Sequence, residues 1–262
     1  MKFFLIGNGF IAPIHKEAIK NINGEIVGVV DKDQGENKWK EEIKKTDADC
    51  IVILTPNDLH FEMAKLAADN DKIVLCEKPL VISSKQAEIL CQKRNVFTVL
   101  QLRYHPFVKK IKQEMEKDRN YDIEMDISVY RDEGYYKNWK GQKERSGGVL
   151  FNLGIHYFDL LLYLFGDAKK WSTTFLDDKT GEGKIEGANY ICNWRVSTAE
   201  KRENQRRVFK INDKNYNFSS QDNLSYENLH RFVYQDLLNG KGISPKEVLK
   251  SIKLVEKLYS AL

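Results

Sequence analysis

Asn152, His156 and Asp159 stand at positions i, i+4 and i+7, the spacing that stacks side chains on one face of an α-helix. Imidazole is the side chain whose ordinary pKa lies closest to neutral pH, so the central histidine can take a proton from a hydroxyl group. Leu153, Tyr157, Leu160 and Leu164 recur at the same period and form an apolar stripe. The segment therefore predicts a helix with its stripe on a core and its polar row on the floor of a pocket. Gly147 and Gly148 let the chain turn sharply into this helix, and Gly166 marks its stop. An ordinary amphipathic helix with a satisfied histidine would show the same pattern. A second candidate is Lys78, in Glu77-Lys78-Pro79 immediately past an apolar run. A lysine there can hold a substrate hydroxyl and stabilise negative charge growing on its oxygen, although a lone Lys-Pro pair also fits a solvated loop.

The elements that would position these groups begin at the N-terminus. Lys2–Ile6 is a short apolar run, as a strand buried on both faces of a parallel sheet requires. Gly7-Asn8-Gly9-Phe10-Ile11-Ala12 follows and leads into a helix, the GxGxxA form of a dinucleotide fingerprint. Gly7 allows the tight turn, Gly9 lets a pyrophosphate approach the backbone, and Ala12 allows close helix packing. A second strand, Glu25–Val30, ends at Asp31, where a carboxylate binds ribose hydroxyls and repels a 2′-phosphate. NAD is thus favoured over NADP. Further strands at Cys50–Leu54, Lys72–Cys76 and Phe97–Leu100 alternate with helices at Phe61–Asn70 and Ser84–Arg94, a Rossmann-type order. Ligands lie at strand carboxyl ends in such sheets. Phe10, Ile11, Leu54, Thr55, Pro56, Asn57, His60, Glu77, Lys78 and Gln101 are accordingly expected along the cofactor.

From Asp122 the pattern changes to strict alternation, with Ile123, Met125, Ile127 and Val129 on one face. Runs at Lys170–Leu176 and Gly187–Val196, and a hairpin about Asn212-Asp213-Lys214, continue it; helices at 222–239 and 246–261 finish the chain. The fold class is α/β: a parallel Rossmann domain, 1–101, and an α+β domain, 102–262, with a mostly antiparallel, open-faced sheet. The C-terminal helix is free to pack back on the first domain. Arg131–Gly141 mixes aromatics with lysines in no regular period, as binding loops do, though a surface loop around a buried Trp139 would read alike.

Composition narrows the classes. With 42% hydrophobic and 31% charged residues the chain matches ordinary soluble domains. Its net charge of +4 is dispersed, without the basic face that nucleic acid needs. Cys50, Cys76, Cys91 and Cys192 lack metal-ligand spacing and suit a reducing compartment. No signal segment or membrane span is evident, so a cytoplasmic protein without a metal is expected.

Gly7–Ala12, Asp31, Thr55–His60, Cys76–Leu80 and Gly147–Asp159 stand in the order of the Gfo/Idh/MocA oxidoreductases, which the chain resembles. Gly9–His15, Gln101–His105 and Trp139-Lys140-Gly141 with Ser146-Gly147-Gly148 are similar, more narrowly, to the UDP-N-acetylglucosaminuronate 3-dehydrogenases. The broader family carries Asp at position 152 and this branch Asn, so His156 is the clearer acid/base group. The chain is shorter than such relatives, around 32–46 and 177–205. The resemblance implies NAD-dependent oxidation of a sugar C3 hydroxyl in the synthesis of diacetamido-dideoxy uronic acids for surface polysaccharide. Lys78, His156 and Asn152 are its implied catalytic groups, and Arg103, Trp139, Lys140 and Ser146 add to the substrate site for an anionic nucleotide-sugar. It further implies a dimer or tetramer formed through the open sheet, and NADH that stays bound and is reoxidised by 2-oxoglutarate, as in some relatives. Another sugar or cyclitol dehydrogenase of the superfamily, and a non-catalytic NAD-binding regulator, are the competing readings.

Overall fold

A computed structural model describes residues 1–116, 119–218 and 226–261, with the side chains of 226–228 left aside. It divides into two compact units.

The first is built on a parallel sheet of β1 (Lys2–Ile6), β2 (Glu25–Val30), β3 (Cys50–Ile53), β4 (Ile73–Cys76) and β5 (Val96–Thr98), ordered β2-β1-β3-β4-β5. All four neighbouring pairs run parallel. Helices α1 (Ala12–Asn21), α2 (Lys38–Lys45), α3 (His60–Asp69) and α4 (Ser84–Leu90) connect the strands. Every residue of β3 is fully buried, which explains its unbroken apolar run: helices cover both faces. Each such Ile or Val contributes roughly 1.5–3 kcal/mol of burial.

The second unit carries a six-stranded sheet, β11-β10-β6-β9-β8-β7. Its strands are β6 (Tyr121–Ser128), β7 (Lys170–Leu176), β8 (Thr180–Glu186), β9 (Tyr190–Ser197), β10 (Arg206–Ile211) and β11 (Lys214–Asn217). Only β6 and β9 pair in parallel; the other pairs are antiparallel. β8, Thr-Gly-Glu-Gly-Lys-Ile-Glu, does not announce itself as a strand, because glycines and charges weaken β patterning. Its glycines have a packing reason: a Cβ on Gly183 would come within 2.9 Å of the Trp194 ring.

The helices of this unit include α5 (Pro106–Glu114), α6 (Glu133–Tyr136), α7 (Lys143–Ser146) and α8 (Ile155–Phe165). α8 covers one face of the sheet. Phe158 meets Trp194 edge-on at 5.3 Å, Phe165 meets Tyr190 at 5.8 Å, and Tyr157 stacks on Phe209 at 6.2 Å. The stretch Lys143–Phe165 is long and apolar enough to cross a bilayer, contrary to the sequence expectation. Its apolar window is 72% buried within the protein, however, as befits a core helix. The opposite sheet face is charged, with Arg195 bonded to Glu182 and Glu200, and Arg206 to Asp126.

Two helices end the chain, α9 (Tyr226–Leu238) and α10 (Pro245–Tyr259); positions 222–225 of the expected 222–239 helix lie outside the described residues. α9 packs on α1, with Leu229, Val233, Tyr234 and Leu237 buried, and the Tyr234 ring meets Phe3 edge-on at 5.7 Å. The first unit therefore comprises Met1–Gln101 together with Ser225–Leu249, and the second Leu102–Leu224 with Lys250–Leu262.

Candidate active site

In the first unit the loop after β1 is drawn tight. The Gly7 N–H donates to Val30 O at 2.8 Å, and the backbone there has φ +99°. A Cβ on Gly7 would stand 2.7 Å from Leu54 O, so this position needs glycine twice over. A Cβ on Gly9 would meet nothing within 4 Å, and the Phe10 side chain beside it is exposed. The first turn of α1 has Pro13 and no side-chain cap, and its Ala12 and Ile14 N–H groups donate to Gly9 O at 3.1 Å and to Ile11 O at 3.2 Å. Asp31 caps the short turn Lys32–Gln34: its carboxylate accepts from the Lys32 N–H at 2.8 Å, and Gln34 Oε1 accepts from the Asp31 N–H. Gln101 is buried with no hydrogen-bond partner for Oε1 among the described residues. A tight glycine turn, open ground over Gly9 and the buried Gln101 oxygen fit a dinucleotide. Asp31→Ala is expected to weaken NAD binding about tenfold or more, since a hydrogen bond to a charged group is worth about 1.5–3 kcal/mol. Calorimetric titration with NAD and NADP measures the loss and the change in preference.

Past β4, Glu77 donates its N–H to Ile53 O at 3.0 Å, and Lys78 follows with a cis peptide bond to Pro79. His60, expected along the cofactor groove, is instead fully buried. Its ring nitrogens lie 2.8 Å from Pro79 O and 3.0 Å from Thr55 O, so it ties the Lys78 loop to the Thr55 loop. Burial pushes its pKa down. Asn57 is buried, and Thr55 Oγ1 donates to the Met63 sulfur.

In the second unit a cavity of ≈ 610 Å³ opens between the 133–148 loop, the start of the core helix and Leu176–Lys179. Three of its lysines each sit against a tyrosine ring: Lys140 over Tyr135 at 5.1 Å, Lys179 over Tyr136 at 4.9 Å, and Lys143 over Tyr259 at 4.7 Å. Burial, with Arg131 nearby, lowers the Lys140 pKa. Asn152 lines the same cavity and donates to the Tyr135 hydroxyl at 2.5 Å. Ser146 lines it too, but its Oγ donates to Gln142 O and accepts from the Gly148 N–H, closing its own turn.

The expected single polar row is divided. Leu150–Gly154 winds as a π-helix before α8 begins, and the wider turn breaks the 3.6-residue register. Asn152 faces the cavity, whereas Asp159 is buried and accepts from Arg103 Nε and Nη2, both at 2.8 Å, and from Ser251 Oγ at 2.8 Å. His156, between them, is partly exposed, with its ring centroid 6.4 Å from that of Tyr157. The Arg103 guanidinium is thus engaged by Asp159, and neither Arg103 nor the half-buried Trp139 lines this cavity. Tyr135, Tyr136 and Lys137 belong to the aromatic and basic loop Arg131–Gly141 read from the sequence, and Lys143 lies just past it. Lys179 and Tyr259 carried no local signal, because they reach the cavity from distant segments.

Two family models match the chain: the oxidoreductase family's NAD-binding Rossmann fold over residues 1–96, and its C-terminal alpha/beta domain over residues 118–196. The chain belongs to the Gfo/Idh/MocA oxidoreductase family. It is 25% identical over 190 residues to an inositol 2-dehydrogenase of Rhizobium meliloti, covering 64% of this chain and 56% of that protein. It is 30% identical over 192 residues to a glucose-6-phosphate 3-dehydrogenase of Bacillus subtilis, covering 63% and 53%. The aligned part spans about half the length of these curated relatives. Among solved structures, the WlbA (WbpB) dehydrogenase of Thermus thermophilus, in complex with NAD and UDP-GlcNAcA, superposes with a TM-score of 0.85. It shares 27% identity, over 97% of this chain and 93% of that one.

Proposed function

We propose that this protein is an NAD-dependent dehydrogenase that oxidises the C3 hydroxyl of UDP-N-acetylglucosaminuronate to the 3-keto sugar. The observation that carries the reading is the cavity of the second unit. Tyrosine rings offer flat apolar faces to a base, and the paired lysines offer charge to a diphosphate or carboxylate. Bound NAD would supply the hydride acceptor, held by Gly7, Gly9, Asp31 and Gln101. His156 takes the hydroxyl proton as the C3–H bond breaks and the carbonyl forms. Lys78 holds the same oxygen and stabilises its growing negative charge. Asn152, oriented by Tyr135, fixes the sugar ring.

The Thermus thermophilus neighbour supports the nucleotide-sugar assignment, and a second complex of it with NAD and alpha-ketoglutarate supports recycling of bound NADH by a 2-oxo acid. In this reading the enzyme works in the cytoplasm, on a route to surface polysaccharide, as a dimer or tetramer joined through the open sheet. A cyclitol or simple sugar substrate is the second reading, favoured by the inositol and glucose 6-phosphate relatives.

A single-turnover experiment decides. Protein stripped of cofactor and reloaded with NAD is mixed with UDP-N-acetylglucosaminuronate, with UDP-N-acetylglucosamine as control, and NADH absorbance is followed. NADH formed with the uronate alone, beside a product two hydrogens lighter, is the expected result. Turnover of myo-inositol or glucose 6-phosphate in its place overturns the nucleotide-sugar reading.

A further inference from the structure

Behind Lys78 lies a buried polar chain that the reaction itself does not use. His15, in α1, is fully buried; its Nε2 stands 2.9 Å from Glu77 Oε1 and its Nδ1 2.8 Å from the Tyr234 hydroxyl. His230, also buried, brings its Nε2 to 3.7 Å from the same Glu77 oxygen, and its ring meets that of His15 edge-on at 5.0 Å. The other Glu77 oxygen accepts from the Lys78 N–H at 3.2 Å. Two helices, one from each end of the chain, thus meet at the carboxylate that holds the Lys78 backbone.

The directions of these bonds follow from chemistry. Burial opposes the charge on Glu77, but the bond from His15 and the nearby His230 ring outweigh it and hold the carboxyl well below its usual range. An ionised carboxylate only accepts, so His15 Nε2 carries the hydrogen. Burial keeps the His15 ring neutral, which leaves Nδ1 to accept from Tyr234, whose pKa is pushed well up by its own burial. The order is Tyr234 O–H to His15, His15 N–H to Glu77, and Lys78 N–H to Glu77.

We propose that His15, His230 and Tyr234 are positioning residues that act through Glu77 to fix the Lys78 backbone. The proposal rests on the reading of Lys78 as a catalytic residue, because there is otherwise nothing for the chain of bonds to position. Small displacements of a reacting group can cost about 100-fold in rate, so a tether of this kind has a use in the chemistry.

The test combines a readout that needs no substrate with one that does. In the full-length protein, amide hydrogen exchange at Lys78 is followed in wild type and in His15→Leu, His15→Gln and Tyr234→Phe. Exchange at Lys78 is expected to quicken about tenfold or more in His15→Leu and Tyr234→Phe, with β3 and β4 still protected. It should return toward wild type in His15→Gln, whose amide N–H can still donate to Glu77. In parallel, kcat should fall about 30- to 100-fold in His15→Leu with NAD affinity unchanged, as expected for displacement of a reacting group. The isotope effect of a C3-deuterated sugar should rise, as it would not if part of the enzyme were merely unfolded. Unchanged Lys78 exchange in both His15→Leu and Tyr234→Phe overturns the proposal. So does one zinc ion per chain that is lost with either histidine, since Glu77 would then be a metal ligand. Full activity in Lys78→Met, with Lys78 exchange still sensitive to His15, overturns the catalytic reading itself and is thereby told apart.

Discussion

His156→Asn is expected to lower turnover by about 10²–10⁴-fold, the range that a positioned general base contributes. NAD affinity should stay within about twofold, because every group assigned to the dinucleotide lies in the other unit. Asparagine keeps a polar group of similar reach at a partly exposed position, so the fold should bear the change. The measurement is kcat under saturating sugar, with calorimetric NAD titration and thermal melting as controls. Wild-type turnover in this variant would remove the histidine from the mechanism and leave Lys78 as the only candidate for moving the proton.

Arg103→Leu should be the most damaging single change to stability. Both partners of the Arg103–Asp159 pair are nearly inaccessible, with side-chain exposures of 7% and 1%, so solvent screening does little to weaken it. Deleting the arginine leaves the buried Asp159 carboxylate accepting from Ser251 Oγ but without its cation, a fault that costs about 3–5 kcal/mol. For a chain of this size that is a fall in Tm of about 6–20 °C. The double variant Arg103→Leu with Asp159→Leu should recover much of the loss, since an apolar pair replaces a buried ion pair at little cost. Scanning calorimetry on the three variants makes the comparison. A raised KM with an unchanged Tm would mean that Arg103 binds substrate, as the sequence had suggested, and that its bond to Asp159 is dispensable.

Much of the first unit was legible because its signals are local. Gly7, Gly9 and Ala12 follow a strand directly, and the apolar runs that lead to Asp31, Leu54 and Glu77 each end where the sheet ends. In the second unit the alternation of Ile123, Met125 and Ile127 gave β6 its face. β8 escaped because its pattern serves Trp194 packing rather than apolar alternation. The polar row of 152, 156 and 159 was drawn on a regular helix, and a π turn is not written in residue types. The role of His15 was not legible, because its partner Tyr234 is 219 positions away and no local period reports a bond of that span. The lysine and tyrosine pairs of the cavity escaped in part for the same reason: Lys179 and Tyr259 arrive there from other elements.

The helix α9 has a consequence for how the protein comes to exist. The nucleotide-binding unit is not a continuous length of chain; the buried side chains Leu229, Val233, Tyr234 and Leu237 are encoded long after its last strand, β5. A ribosome that has released the first hundred residues has made the whole parallel sheet, yet the outer side of α1 and the ring of Phe3 still lack their cover. Closure of the NAD-binding half must wait until translation has passed Leu237. A frameshift that falls between Ala12 and Leu229 would therefore spare the glycine fingerprint and still deny the nucleotide-binding half its α9 cover.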